Sequence, residues 1–259
     1  MATALITGAS SGIGLELAKI HASKKDNLVL VARTIVRLND LKSELEKQYG
    51  IHVHCIEKDL SRSTAAQEVY DETVDAGLRI DYLINNAGFG DYGWFHQSNL
   101  NRQQEMIDVN ISSLTQLTHL FLQDMVSRKS GRIMNVASTA AFQPGPTMSV
   151  YFATKAYVLH FSEAINEELK GTGVTVTALC PGATISGFEQ QSNMNGKGFF
   201  HRKGHPTSAV VATYGHRAML QGKSVAIHGF MNRLLTFTVR FSPRQLVVKI
   251  TRKIQEMGN

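Results

Sequence analysis

Ala4-Leu5-Ile6-Thr7-Gly8-Ala9-Ser10-Ser11-Gly12-Ile13-Gly14 is the stretch on which the fold turns. An apolar strand runs into three glycines and then into the helical spacing of Leu15, Leu17, Ala18 and Ile20. Each glycine has its own reason. Gly8 lets the chain leave the strand sharply, Gly12 lets backbone approach a pyrophosphate without a Cβ in the way, and Gly14 lets helix and strand pack closely. The free N–H groups of the first helical turn then point outward as a phosphate cradle.

Working outward, Leu28-Val29-Leu30-Val31-Ala32 is a second apolar run about twenty residues after the first glycine, following a helix over 12–24. A parallel βαβ unit results. The next helix covers roughly 35–48, where Leu38, Leu41 and Leu45 recur at spacings of three and four. Further strands are predicted at Val53-Ile56, Tyr82-Asn85, Gly131-Val136, Val174-Cys180 and Ser224-Ile227, with helical patterns near 62–76, 101–126, 151–170 and 207–221. Strands alternate with longer amphipathic helices throughout. The predicted fold class is therefore α/β: a single-domain Rossmann fold, a doubly wound parallel sheet with helices on both faces, over residues 1–228. Residues 229–259 form a C-terminal amphipathic helical extension. Such a sheet binds ligands beyond the C-terminal ends of its strands, and Gly8, Arg33, Asp59, Asn86, Ser138 and Pro181 all follow strand ends.

The centre of the chain reads Ser138, then Tyr151-Phe152-Ala153-Thr154-Lys155, with Tyr and Lys four apart and so on one helix face. With the Thr7-to-Gly14 turn, these residues resemble the short-chain dehydrogenase/reductase family of nicotinamide-dependent oxidoreductases. The likeness extends over roughly 3–228. It implies an enzyme in which Tyr151 donates a proton to a carbonyl oxygen, Ser138 orients that oxygen, and Lys155 lowers the phenol pKa and holds the nicotinamide ribose. Asn110 is implied to position a water linking Lys155 to solvent. Taken singly, the Tyr/Lys pair reads equally as packing, Ser138 as a helix cap and Asn110 as a turn residue.

The resemblance also implies a cofactor-binding set: Gly8, Ser10, Ser11, Gly12, Ile13 and Gly14 in the first turn, Asp59 and Leu60 beside the adenine, and Asn86, Ala87 and Gly88 after strand four. Pro181 and Gly182 are implied to turn beside the nicotinamide and Thr184 and Ile185 to face its carboxamide, and Tyr151 and Lys155 complete the set. At the end of strand two the chain has Ala32-Arg33, with Arg37 four residues on, and no carboxylate. A carboxylate there repels a 2′-phosphate, whereas a guanidinium offers it forked donors. NADP (NADPH) is the expected cofactor; a solvated Arg33 is the alternative.

Substrate contacts are expected from 89–96, 139–148 and 185–206. The aromatic residues Phe89, Tyr92, Trp94, Phe95, Phe142, Phe188, Phe199 and Phe200 stand there, beside Met148 and Met194, and Gly187, Gly196 and Gly198 space the last segment. The wall suits a medium or bulky apolar ketone or aldehyde; the same aromatics also serve as loop anchors or oligomer contacts.

Composition excludes other classes. The histidines are scattered and the two cysteines, Cys55 and Cys180, lie in or beside strand patterns, so no metal site or disulfide framework is expected. No leader precedes the first strand and no apolar run is long enough to span a membrane, so the expectation is a cytoplasmic protein with no transmembrane segment. The net charge is +6, and residues 230–259 carry six Lys and Arg against Glu256 alone, which leaves the body nearly neutral and without a nucleic-acid footprint. Ser242-Pro243-Arg244-Gln245 reads as a capped helix start. Beyond it Leu246, Val247, Ile250, Ile254 and Met257 gather opposite Lys249, Arg252 and Lys253. Such a segment can make peripheral contact with an anionic membrane, or pack over the substrate cleft or a neighbouring subunit. The family resemblance implies a homodimer or homotetramer through the helices near 101–126 and 151–170. The competing function is a non-catalytic nicotinamide-nucleotide sensor or scaffold docking through the tail.

Overall fold

The structure is a computed structural model that describes residues 1–194, 197–201 and 204–257, with the backbone alone at His201. Its centre is one sheet of seven parallel strands in the order β3-β2-β1-β4-β5-β6-β7. These are β1 (Thr3–Thr7), β2 (Asn27–Ala32), β3 (Val53–Glu57), β4 (Tyr82–Asn85), β5 (Gly131–Val136), β6 (Val174–Cys180) and β7 (Val225–Ile227). The register aligns Ala4 with Leu28 on one side and with Tyr82 on the other, so β1 stands where the strand order reverses.

The helices are α1 (Gly12–Ser23), α2 (Ile35–Tyr49), α3 (Ala65–Asp75), α4 (Leu100–Ile107), α5 (Leu114–Ser127), α6 (Ser149–Glu168), the short α7 (Phe188–Gln191), α8 (Ser208–Leu220), α9 (Phe230–Val239) and α10 (Arg244–Gln255). Side-chain alternation along each strand feeds two cores. Ala4, Ile6, Leu28 and Leu30 pack toward α1, α2 and α8, while Leu5, Val29 and Val31 pack toward α3 and α5. Both faces are covered, so β2 is apolar without alternation from Leu28 to Ala32. Burying each Leu or Val contributes about 1.5–3 kcal/mol toward holding the sheet flat against its helices. The C-terminal strand ends are thereby fixed along one rim.

Two local expectations need correction. The pattern over 101–126 reads as one helix, but a π-helical turn at Asp108–Ser113 interrupts it between α4 and α5. Ser242 does not cap α10: Pro243 occupies the cap position with no side-chain bond, and the Ser242 hydroxyl donates back to the Thr238 carbonyl. No helix among the described residues is long and apolar enough to cross a membrane.

Candidate active site

At the switch point, Gly8 and Gly12 have φ of +65° and +57°, a region that L side chains rarely adopt. A Cβ on Gly14 would lie 2.4 Å from the Gly8 carbonyl oxygen, so α1 and the glycine turn meet backbone to backbone. The turn is strapped to the segment after β4. The Thr7 hydroxyl accepts from the N–H of Asn86 at 3.0 Å and of Ala87 at 2.9 Å, and Asn86 Nδ2 donates to the Thr7 carbonyl at 2.9 Å. No acidic residue stands in the first turn of α1, and Ser11 at its cap makes no side-chain cap bond, so the N-terminal amides remain available.

Behind the rim, a buried amide chain ties four elements together. Asn85 Nδ2 donates to the Thr118 hydroxyl at 3.0 Å and to Asn135 Oδ1 at 2.9 Å, and Asn135 Nδ2 donates to the Ser162 hydroxyl at 3.0 Å. This joins β4, β5, α5 and α6, the helix that carries Tyr151 and Lys155. Relative movement of the two halves would break buried hydrogen bonds, each worth about 1 kcal/mol.

A cleft of about 440 Å³ runs along the rim. Gly8, Ser10, Ser11, Gly12 and Ile13 line it beside Arg33, Arg37, Asp59 and Leu60; Asn86, Ala87 and Gly88 form its floor; Ser138, Tyr151, Lys155, Pro181, Gly182 and Thr184 line its other end. Neither Arg33 nor Arg37 has an acidic partner among the described residues, and both are exposed at the cleft edge. Asp59 accepts from the backbone N–H and hydroxyl of Ser61.

Three expected residues stand elsewhere. Gly14 lies beneath the turn, where its close packing was expected. Ile185 is 63% exposed and points away, paired with Thr207 through a backbone bridge, while Ser186 turns into the cleft instead. Asn110 is buried on the π turn, its side chain accepting from Phe89 N–H at 3.1 Å and donating to the Phe89 carbonyl and the Thr154 hydroxyl, both at 3.0 Å. Its side-chain amide clamps the loop after β4 to α6.

Around the phenol the electrostatics also differ from expectation. The Ser138 hydroxyl accepts from Ala140 N–H at 3.0 Å, capping a 3-10 turn at Thr139–Phe142, donates to the Pro181 carbonyl at 3.5 Å, and interacts with the Tyr151 side chain. Burial pushes the Tyr151 hydroxyl up to about 12, against which Ser138 pulls down. The lowering by Lys155 is absent: its ammonium donates to the Val136 carbonyl at 2.8 Å and lies 5.9 Å from the centre of the Tyr151 ring. Burial lowers Lys155 itself to about 8, so it is still charged at neutral pH. Gly88 is the spacer here, since a Cβ on it would meet Asn110 Oδ1 at 2.9 Å and Lys155 Nζ at 3.3 Å.

Each of the three expected substrate segments reaches the cleft, though by only part of its residues. Phe89, Met148, Phe188, Met194, Phe199 and Phe200 line it. Trp94 and Phe95 are exposed, and Tyr92 donates from its hydroxyl to the Gln255 carbonyl at 2.9 Å. Gly196 lies outside the described residues. Several lining residues were not anticipated, among them Lys58, Glu105, Val109 and, from the last turn of α10, Gln255. The opposition of apolar and basic faces accounts for α10 packing down, but nothing in the pattern distinguishes a glutamine that ends inside a cleft from a solvated one. Among the described residues no cluster of three or more His, Cys, Asp or Glu gathers to hold a metal.

The model of a family described as short chain dehydrogenase matches residues 2–196. The chain is 35% identical over 182 residues to 17-beta-hydroxysteroid dehydrogenase type 3 of Mus musculus, covering 69% of this chain and 58% of that protein. It therefore spans a little under three fifths of that relative's length. Among solved structures, it superposes on a short-chain dehydrogenase from Sphingobium yanoikuyae in complex with NADPH with a TM-score of 0.83 at 31% identity, covering 93% of this chain and 94% of that one. A bulky-bulky ketone specific alcohol dehydrogenase from Comamonas testosteroni gives 0.79 at 30% identity, covering 93% and 92%.

Proposed function

The chain belongs to the short-chain dehydrogenase family, and from that premise we propose that it is an NADPH-dependent oxidoreductase that reduces a medium-sized or bulky apolar ketone or aldehyde, reversibly, to the alcohol. The observation that carries the reading is the cleft with a glycine cradle and two guanidiniums without an acidic partner among the described residues at one end, and the buried phenol of Tyr151 beside Ser138 at the other. Further support comes from relatives named for a hydroxysteroid and for bulky ketones, and from a similar structure bound to NADPH.

The residues fit the cofactor. The backbone of Gly8 to Ile13 and the free amides of α1 suit a pyrophosphate, and Arg33 with Arg37 suits a 2′-phosphate. Asp59 and Leu60 border the adenine end, and Pro181, Gly182 and Thr184 the nicotinamide end. Bound there, NADPH supplies the hydride that reduces the carbonyl carbon. Tyr151 gives its hydroxyl proton to the carbonyl oxygen as the C–O bond becomes single, and a phenol held protonated through neutrality is in the right state to do so. Ser138, beside that hydroxyl, holds the substrate oxygen against it. Lys155 keeps an ammonium beside the site, available to ribose hydroxyls. Asn110 acts as a positioning residue through Phe89 and Thr154.

The catalytic body corresponds to 1–228, with 229–259 as a cover. The assembly is a homodimer or homotetramer in the cytoplasm, with the exposed apolar and basic face of α9 and α10 as its point of contact with membrane lipid. A sensor that does no chemistry has no use for a buried phenol beside a serine hydroxyl, which favours the enzyme.

The test follows NADPH absorbance with purified protein and a panel of aliphatic, aromatic and steroidal ketones. Tyr151→Phe should retain cofactor affinity and lose about 10²-fold or more in turnover; undiminished turnover in that variant removes the assignment.

A further inference from the structure

Resting on the proposed carbonyl reduction, we infer that Gln255 is a specificity-determining residue which hydrogen-bonds an uncharged oxygen, hydroxyl or carbonyl, at the end of the substrate remote from the reacting carbonyl. The side chain of Gln255 is 0% exposed, and neither its Nε2 nor its Oε1 has a hydrogen-bond partner among the described residues. It lines the same cleft as Tyr151. A primary amide offers two donors and an acceptor, so a buried one with none of them used calls for a ligand group that can complete them.

The position is built rather than incidental. The carbonyl of Gln255 accepts from the Tyr92 hydroxyl at 2.9 Å, and Gly198 N–H donates to the Met257 carbonyl at 2.9 Å, so the end of α10 is pinned from two loops. Arg252, one turn earlier, lies 5.1 Å from the centre of the Trp94 ring. Gly198 is required where the amide sits: its φ is +60°, and a Cβ would meet Gln255 Oε1 at 2.4 Å.

Between the phenol and this amide the wall is apolar. The Phe188 ring lies 5.2 Å from Tyr151 and 6.3 Å from Phe200, and Met194 closes the side nearest Gly198. A substrate that matches this surface has a reducible carbonyl at one end, a hydrocarbon body, and one polar oxygen at the other. A site built to bond such an oxygen discriminates against the analogue that lacks it, because its own buried polar atoms are then left unpaired.

The probes are straight-chain methyl ketones of increasing length, each with and without a hydroxyl on its terminal carbon, assayed with NADPH on the full chain and on Gln255→Leu. In the wild type, kcat/KM should favour the hydroxylated member by about tenfold at one chain length, the effect of one hydrogen bond worth about 1.4 kcal/mol, and only weakly at the others. Gln255→Leu should reduce that ratio to near one, and Gln255→Asn, one methylene shorter, should move the preference to a longer chain. Without ligand, Gln255→Leu should unfold at a higher temperature, since it removes two unpaired buried polar atoms. Ratios that are the same in wild type and Gln255→Leu, with both enzymes active, overturn the role of Gln255 and leave carbonyl reduction standing. Absence of turnover with every ketone overturns carbonyl reduction; calorimetric binding of the same pairs to Tyr151→Phe with NADP then decides on Gln255, equal affinities in the pair being the negative result.

Discussion

Lys155 illustrates how a side chain can be legible in type and misjudged in effect. Its place four residues after Tyr151 suggests an ammonium that acidifies a phenol, yet the fold directs it to the Val136 carbonyl and buries both groups, so desolvation dominates. The stability consequence has a definite sign. Between about 8 and the ordinary lysine value of 10.5, the unfolded chain holds a proton on Lys155 that the native state has released. More protons on the unfolded state mean that stability rises with pH across that window, and that the cost of the buried ammonium is fully present below it. Tyr151 acts oppositely between 10 and about 12, where the unfolded phenol ionises first. Urea unfolding of wild type and Lys155→Met should therefore show the wild type gaining on the variant from pH 8 to 10. A loss over that range contradicts burial as the cause.

At the scale of elements, strand periodicity and glycine punctuation were sufficient for β4, β5 and β6, because an apolar run bounded by turn residues has few other uses in an alternating pattern. The π turn at Asp108–Ser113 was not legible. It adds one residue to a helical turn, and the apolar spacing on either side stays compatible with a continuous helix. Asn110 stands within that turn, and its amide clamps Phe89 and Thr154. Gly14, by contrast, was legible for the right reason: β1 and α1 touch there. Gly14→Ala would push a methyl into the Gly8 carbonyl oxygen and Asn86 Nδ2, at 2.4 and 2.5 Å. Both are fixed groups, so overpacking of about 1–3 kcal/mol is expected. Chemical denaturation of the variant measures it; a loss below about 0.5 kcal/mol would show that helix and strand separate easily.

For the molecule as a whole, the tail serves two surfaces. The inner side of α10 buries Val247, Thr251 and Gln255, the last of which lines the cleft. Its outer side and α9 are different: Phe230, Met231, Leu235, Phe237 and Phe241 are all more than half exposed, near Arg233 and Arg240. Exposed apolar groups on a basic segment suit an anionic bilayer surface. Flotation with vesicles should therefore find the protein on anionic lipid and not on zwitterionic lipid, with binding that falls as salt rises and weakens in Phe230→Ser/Phe241→Ser. Equal recovery without lipid in every condition would assign that face to contact between subunits.

From its residues alone the chain determined a parallel α/β sheet, the glycine cradle on β1, and the types of side chain at the reacting end. These rest on local periodicity, on backbone conformations that only glycine takes easily, and on spacings within one helix. Tertiary structure alone decided that Ile185 faces outward and Ser186 inward, that the Asn110 amide is already engaged, that burial sets the ionisation of Tyr151 and Lys155, and that Gln255 closes the cleft. Each of those depends on which atoms, distant along the chain, come together and exclude water; Tyr92 and Gln255, 163 residues apart, meet only because the sheet brings the β4 loop and the tail to the same rim.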